Sequence, residues 1–203
     1  MTAVLYVEGR GNGKTARAEC RRGFARFLAN AGLKERMPRI VASGSRQHAF
    51  DDFRHALNKP RKDRFNVLLV DSEGPIAENS GSWAHLKQQD GWDRPQGAAD
   101  HSVHLMVQCM EAWFLADKDN LATFFGRGFN ANALPRNPDI EEIPKNDLLT
   151  GLKNATRRCR PKGEYSKGRH SFEVLSKTDP VRVLDASPYA KRLVDTLTIN
   201  AFG

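Results

Sequence analysis

Apolar residues recur along this chain with two different spacings. Val4–Val7 is a short apolar, β-rich run that ends at Glu8-Gly9. Between residues 14 and 31, apolar or small residues fall at Ala16, Cys20, Phe24, Phe27, Leu28 and Ala31, with Gly32 behind them. That spacing lays one stripe on a helix, and the glycine stops it. Arg39–Ala42 predicts a second strand, closed by Ser43-Gly44-Ser45. Gln47–Leu57 predicts a second helix with Ala49, Phe50, Phe53, Ala56 and Leu57 on one face, ended by Lys59-Pro60. Asn66–Val70 is a continuous apolar run, as in strands buried on both faces, and it leads straight into Asp71.

The first 75 residues therefore read β-α-β-α-β. Such alternation implies a parallel sheet with right-handed crossovers, in which ligands bind outside the carboxyl ends of the strands. Glu8 and Asp71 both fall at such an end.

The pattern is weaker afterwards. Residues 74–100 are rich in Gly, Pro, Ser, Asn and Asp around Trp83 and Trp92, and predict a long loop with one helical turn at Trp83–Gln88. A loop of that length in a compact domain is usually functional or mobile. His104–Met110 predicts a strand, and Glu111–Ala116 leads into a helix through Asp119–Phe125. Gly126–Pro144 is a turn-rich connection, followed by helices at Leu148–Arg158 and Pro188–Leu197. The expected fold class is α/β, with a mainly parallel central sheet and helices on both faces. Residues 1–125 would form the catalytic core, and 126–203 a C-terminal extension packing on it and carrying a basic substrate-binding segment.

Composition narrows the class. A chain of 203 residues with 39% hydrophobic and 28% charged side chains is globular rather than disordered. No apolar run approaches the roughly 20 residues of a membrane helix. The start, MTAVLYVEGRG, has no basic leader before its apolar stretch. Cys20, Cys109 and Cys159 are odd in number and form no C-x-x-C pair, which argues against a disulfide framework or zinc site and suits a cytoplasmic setting. The net charge of +8 favours a polyanionic partner, nucleic acid first. Basic residues crowd into Arg17–Arg26, Lys59–Arg64 and Arg157–Arg169. In the last stretch Arg158, Lys162, Lys167 and the adjoining His170 read either as a phosphate clamp or as a solvated basic face.

Two motifs carry chemistry. EGRGNGKT (Glu8–Thr15) approaches the phosphate-loop pattern, but Glu8 stands where the pattern needs glycine, and a carboxylate there repels phosphates. It reads as a flexible turn opening a helix, or as a place where Gly11, Gly13 and Lys14 approach a phosphate. Asp71-x-Glu73 follows a buried strand, so both carboxylates can face one side. Alone, it reads as an acidic turn. With Glu8 it becomes three carboxylates at one sheet edge, and a hard cation such as Mg²⁺ is the economical way to hold them together. Glu111, in VQCMEAWFLAD, is a further candidate ligand.

These residues resemble a family. The succession strand–Glu8-Gly9–helix–strand–helix–strand–Asp71-x-Glu73 resembles the Toprim domain of topoisomerases, primases and overcoming-lysogenization-defect nucleases. More narrowly, VEG, LLVDSEG, VQCMEAWFLAD, EEIPKNDL and YSKGRHSFEVL are similar to the Toprim-like family called domain of unknown function 4276, over nearly the whole chain. The resemblance implies a Toprim-like fold, with Glu8 as general acid or base and Asp71 and Glu73 as ligands of Mg²⁺ (or Mn²⁺). Glu73 departs from the aspartate of the Toprim D-x-D motif. The resemblance also implies an anti-phage defence effector working with an ABC- or AAA-type ATPase partner, and it is compatible with an oligomer. The expected reaction is metal-dependent hydrolysis of DNA or RNA, since no tyrosine stands in a nucleophile's context. A non-catalytic regulatory subunit and a small-molecule phosphotransferase are the alternatives.

Overall fold

In the computed structural model, which describes residues 2–9 and 13–200, the first apolar run forms β1 (Thr2–Val7) and the helical stripe forms α1 (Lys14–Leu28). A π-helical turn, Ala29–Leu33, continues α1 as far as the left-handed Gly32. Then come β2 (Arg39–Ala42), α2 (Arg46–Leu57), β3 (Arg64–Asp71), α3 (Ser82–Asp90) and β4 (Val103–Met106). The remainder is helical: α4 (Ala112–Ala116), α5 (Lys118–Phe125), α6 (Lys145–Thr156), α7 (Lys167–Leu175), α8 (Pro180–Ala186) and α9 (Pro188–Asn200).

The four strands are all parallel and lie in the order β2-β1-β3-β4. Strand side chains alternate between faces, and the sheet uses both. Leu5, Val7, Val67, Leu69 and Met106 join the hydrophobic cluster that holds Cys20, Phe24, Phe27 and Leu28 of α1. Val4, Tyr6, Leu68, Val70 and Leu105 join the other cluster, with Ala49, Phe50 and Phe53 of α2 and Trp83 and Leu86 of α3. Burial on both faces explains why the central strands carry no polar alternation. The first cluster runs on into Leu148 and Leu152 of α6, Val174 and Leu175 of α7, and Leu193 and Leu197 of α9, so the C-terminal helices share the core of the strands.

The strand order fixes the site. The chain leaves β1 for β2 on one side, then crosses back to β3 on the other, so β1 and β3 are neighbours whose outgoing connections diverge. At such a switch point the helices part and leave a crevice beyond the strand ends.

Several expectations need correction. The run His104–Met110 is a strand only as far as Met106, because the following residues turn to wrap the end of β3. The single turn expected at Trp83–Gln88 is the full helix α3, anchored by Trp83 and Leu86 and stopped by Gly91 in the left-handed conformation. Helices α7 and α8 lie where the sequence signalled only basic and turn residues. Among the described residues, no helix is long and apolar enough to cross a membrane.

Candidate metal centre

Glu8 directly follows β1, and its amide donates to the Leu69 carbonyl oxygen of β3 at 3.3 Å, which continues the parallel ladder past the last strand residue. Asp71 ends β3, and Met110 N–H donates to its Oδ1 at 2.8 Å. That bond explains why the chain after β4 must turn: its backbone grips the carboxylate. Glu73 sits at φ +66°, in a region that non-glycine residues seldom occupy, and Glu73 N–H donates to the Gln108 carbonyl oxygen at 2.9 Å. Strain of this kind persists where surrounding contacts impose it. The outcome is that one carboxylate oxygen from each of Glu8, Asp71 and Glu73 lies within 4.8 Å of the other two.

Three cations stand around these acids. Arg46, at the first turn of α2, forms a two-pronged pair with Asp90, at 2.8 and 2.7 Å. Its third nitrogen donates to the Asp71 carbonyl and lies 3.8 Å from Glu8 Oε2. Its guanidinium also lies 5.2 Å from the centre of the Trp92 ring. Lys145, which opens α6, donates to Glu73 Oε2 at 2.5 Å and lies 3.8 Å from Asp71 Oδ2. Lys167, which opens α7, lies 3.3 Å from Asp71 Oδ2 and 3.1 Å from Glu111 Oε2. Helix α7 comes this close because α1 has a glycine at the crossing: a Cβ on Gly23 would stand 2.8 Å from the Phe172 carbonyl oxygen.

Glu8, Asp71, Glu73, Asp90 and Glu111 thus face Arg46, Lys145 and Lys167, five carboxylates against three cations. The excess shows in the acidity of Glu8. Burial, then the neighbouring Asp71 carboxylate, push its pKa up to about 7. Burial raises Asp71 as well, against the pull of Lys167. Of the two, Glu8 is the better seat for a proton. Asp71 keeps the Met110 amide and Lys167 as donors, whereas the buried Glu8 Oε2 has no hydrogen-bond partner.

The other candidates are placed as follows. Glu111 is fully buried beside the three acids, and its Oε1 accepts from Tyr165 OH at 2.9 Å and Ser171 Oγ at 3.1 Å. It holds Lys167 rather than joining the three converging oxygens. Lys167 is turned inward to the carboxylates. Lys162 lies 3.9 Å from the Phe124 ring centre and 3.9 Å from Glu173. Arg158 is exposed just past the end of α6, whose start holds Lys145. A helix of that length separates the two by about 18 Å at 1.5 Å per residue. His170 is buried, its Nδ1 accepting from Ser166 N–H at 3.0 Å, and its ring packs against Phe125. Burial lowers its pKa. Lys14 is exposed at the start of α1, and Gly11 lies outside the described residues.

Sequence reading missed Arg46, Asp90 and Lys145. One signal was available for Arg46, which follows the Ser43-Gly44-Ser45 turn at the carboxyl end of β2. Nothing local marked Asp90, since its importance is set by Arg46.

A family model described as Domain of unknown function (DUF4276) matches residues 7–198. No curated protein and no solved structure matches the chain.

Proposed function

We propose that this chain, which belongs to the DUF4276 family, is a divalent-metal-dependent nuclease. The observation that carries the reading is the meeting of Glu8, Asp71 and Glu73 at the carboxyl ends of two adjacent parallel strands. The residues suit Mg²⁺ or Mn²⁺: the donors are all carboxylate oxygens, as hard cations require, and one buried oxygen, Glu8 Oε2, has no donor. Once Glu8 is ionised, the surplus of two negative charges equals the charge of one divalent cation.

Such a cation would supply positive charge to a phosphoryl oxygen and to the leaving oxygen of a phosphodiester. The remaining work falls to the chain. Glu8, with a pKa of about 7, is suited to exchange a proton with the attacking water or the leaving group near neutral pH. Asp71 is held in place by the Met110 amide. Lys145 pairs with Glu73, and Lys167 with Asp71 and Glu111, which holds the acids in place around the crevice. The all-parallel sheet is consistent with a Toprim-like core, and under the resemblance Glu8 and the Asp71-x-Glu73 pair would take the roles of its acids. Following the same resemblance, we place the chain in the cytoplasm as an anti-phage effector that acts with an ATPase partner.

One observation favours the alternative of a non-catalytic regulatory subunit: Lys145 and Lys167 already reach the acids and offset part of their charge. Two measurements separate the readings. Calorimetric titration with Mn²⁺ should show binding that Asp71→Asn weakens. Plasmid DNA and total RNA, incubated with the protein and Mg²⁺ or Mn²⁺, should be cleaved, either by the protein alone or together with any ATPase encoded beside it. Metal binding without cleavage under any of these conditions would leave the regulatory reading in place.

A further inference from the structure

On the far side of β1 from the acids, the edge strand β2 borders a groove of about 570 Å³. Arg17 and Arg21 of α1, Arg39 and Ala42 of β2, Ser43, and His48 of α2 line it, together with Asp52. Among the described residues, Arg17, Arg21 and Arg39 have no carboxylate within salt-bridge distance. Arg17 Nε is buried without a hydrogen-bond acceptor. Ser43 is only 4% exposed, yet its hydroxyl also lacks a partner. Buried donors left unmatched in a basic groove are what a bound oxyanion would satisfy.

The groove adjoins the acidic crevice. Ser43 N–H donates to the Val7 carbonyl oxygen at 3.2 Å, one residue before Glu8. A Cβ on Gly9 would stand 3.5 Å from the Ala42 Cβ. Ser43 and Ala42 thus connect the groove to the end of β1, beside Glu8, and a chain of phosphates extended from the groove along the strand ends would run toward the carboxylates.

We infer that this groove along the β2 edge binds the sugar–phosphate backbone of a nucleic acid, with Arg17, Arg21 and Arg39 pairing with phosphates and the Ser43 hydroxyl donating to one. This deepens the nuclease reading and rests on it for the choice of occupant, while the binding itself is measured without cleavage. An acidic protein segment is the competing occupant. The continuity of the groove with a site whose proposed substrate is a phosphodiester favours nucleic acid.

The test measures binding of fluorescent DNA and RNA oligonucleotides of about 20 nucleotides, in EDTA so that nothing is cut, over a series of salt concentrations. Arg21 and Arg39 are exposed, so Arg21→Gln with Arg39→Gln preserves the fold. Every arginine–phosphate pair that a substitution abolishes reduces the slope of log affinity against log salt by roughly 0.7 to 0.9. The double variant should flatten it by about 1.4 to 1.8, and adding Arg17→Gln by roughly a further 0.7 to 0.9. An Arg157→Gln, Arg158→Gln, Arg160→Gln variant is the comparison and should change it by less. A slope unaltered in the folded double variant overturns the inference, as does competition by polyglutamate as effective as that by the oligonucleotide. Mn²⁺ titration of the same variants is the separate arm. Failure of the unsubstituted chain to bind Mn²⁺ would sink the metal reading while leaving the groove result intact.

Discussion

The acidic crevice and the basic stretch Arg157–Arg169 make opposite use of the chain. Glu8, Asp71 and Glu73 are scattered over 66 residues and meet within 4.8 Å, because parallel strands bring their carboxyl ends to one edge. The basic residues are neighbours in sequence, yet the fold disperses them. Arg158 goes to solvent, Lys162 to the face of Phe124, and Lys167 to buried carboxylates, and His170 just beyond goes into the core. Density along a chain is a poor guide to convergence in space. Position relative to strand ends is a good one.

The sharpest break of that contrast is Glu8→Gln, which keeps the size of the side chain and removes its titration. Cleavage should fall by about 10²- to 10⁴-fold, the usual contribution of a general acid or base, with the fold intact. Asp71→Asn should instead weaken metal binding, so added Mn²⁺ restores part of its activity and none of that lost in Glu8→Gln. Full activity in both variants, with the partner present, would remove the catalytic assignment.

Lys167→Met addresses the basic side. A phosphate clamp could be removed without harm to stability. A lysine that compensates the fully buried Glu111 cannot, and breaking a buried pair costs about 3–5 kcal/mol. Urea unfolding should show that loss.

Glu8 also makes stability depend on pH. Its proton leaves near 4.5 in the unfolded chain and near 7 in the folded one. Between these values the unfolded chain ionises first, so the stabilisation present below about pH 4.5 drains away as the pH rises and is gone above about pH 7. The difference is at most about 3.5 kcal/mol at roughly 1.4 kcal/mol per pH unit. Denaturant unfolding at pH 5 and pH 8 in EDTA should show it in the unsubstituted chain and lack it in Glu8→Gln. Mn²⁺ should offset the loss at pH 8. Equal pH dependence in the two proteins would mean that Glu8 binds its proton no more tightly in the folded chain than in the unfolded one.

The smallest effect belongs to Lys162→Met. A partly exposed cation over an aromatic ring contributes about 0.5–1 kcal/mol. A stability loss as large as that of Lys167→Met would contradict the different surroundings of the two lysines.

How much of this was legible beforehand follows from which interactions are local. The strands and helices of the first 75 residues stand within a few positions of their expected bounds, since the apolar spacing that marks them is the spacing that buries them. The acids at the ends of β1 and β3 were legible for the same reason. Helix α7 was not, because its first turn, Lys167-Gly168-Arg169, looks like a basic loop. The helix buries His170, Ser171, Val174 and Leu175, and it crosses α1 where Phe172 meets Gly23, a contact between segments far apart in sequence. With α7 unseen, Lys167 could only be read as a surface charge. Lys145 and Asp90 were illegible for a related reason: each matters through a partner that tertiary structure supplies.

Arg46 has a consequence for motion. It grips Asp90 at the end of α3 and lies against Trp92, which stacks on Phe50 with ring centres 4.3 Å apart. It also reaches Glu8 and the Asp71 carbonyl. Arg46 therefore ties the segment after α3 to the crevice, beside the bond from Trp92 Nε1 to Gln47 Oε1 at 3.1 Å, and the free energy of its local opening includes whatever holds Arg46 in place. A change of charge at Glu8 alters that hold. Amide protons around Gly91 and Trp92 would exchange with solvent at rates that follow the ionisation of a carboxylate on the neighbouring strand, which makes this tryptophan loop a built-in reporter of the state of the acids.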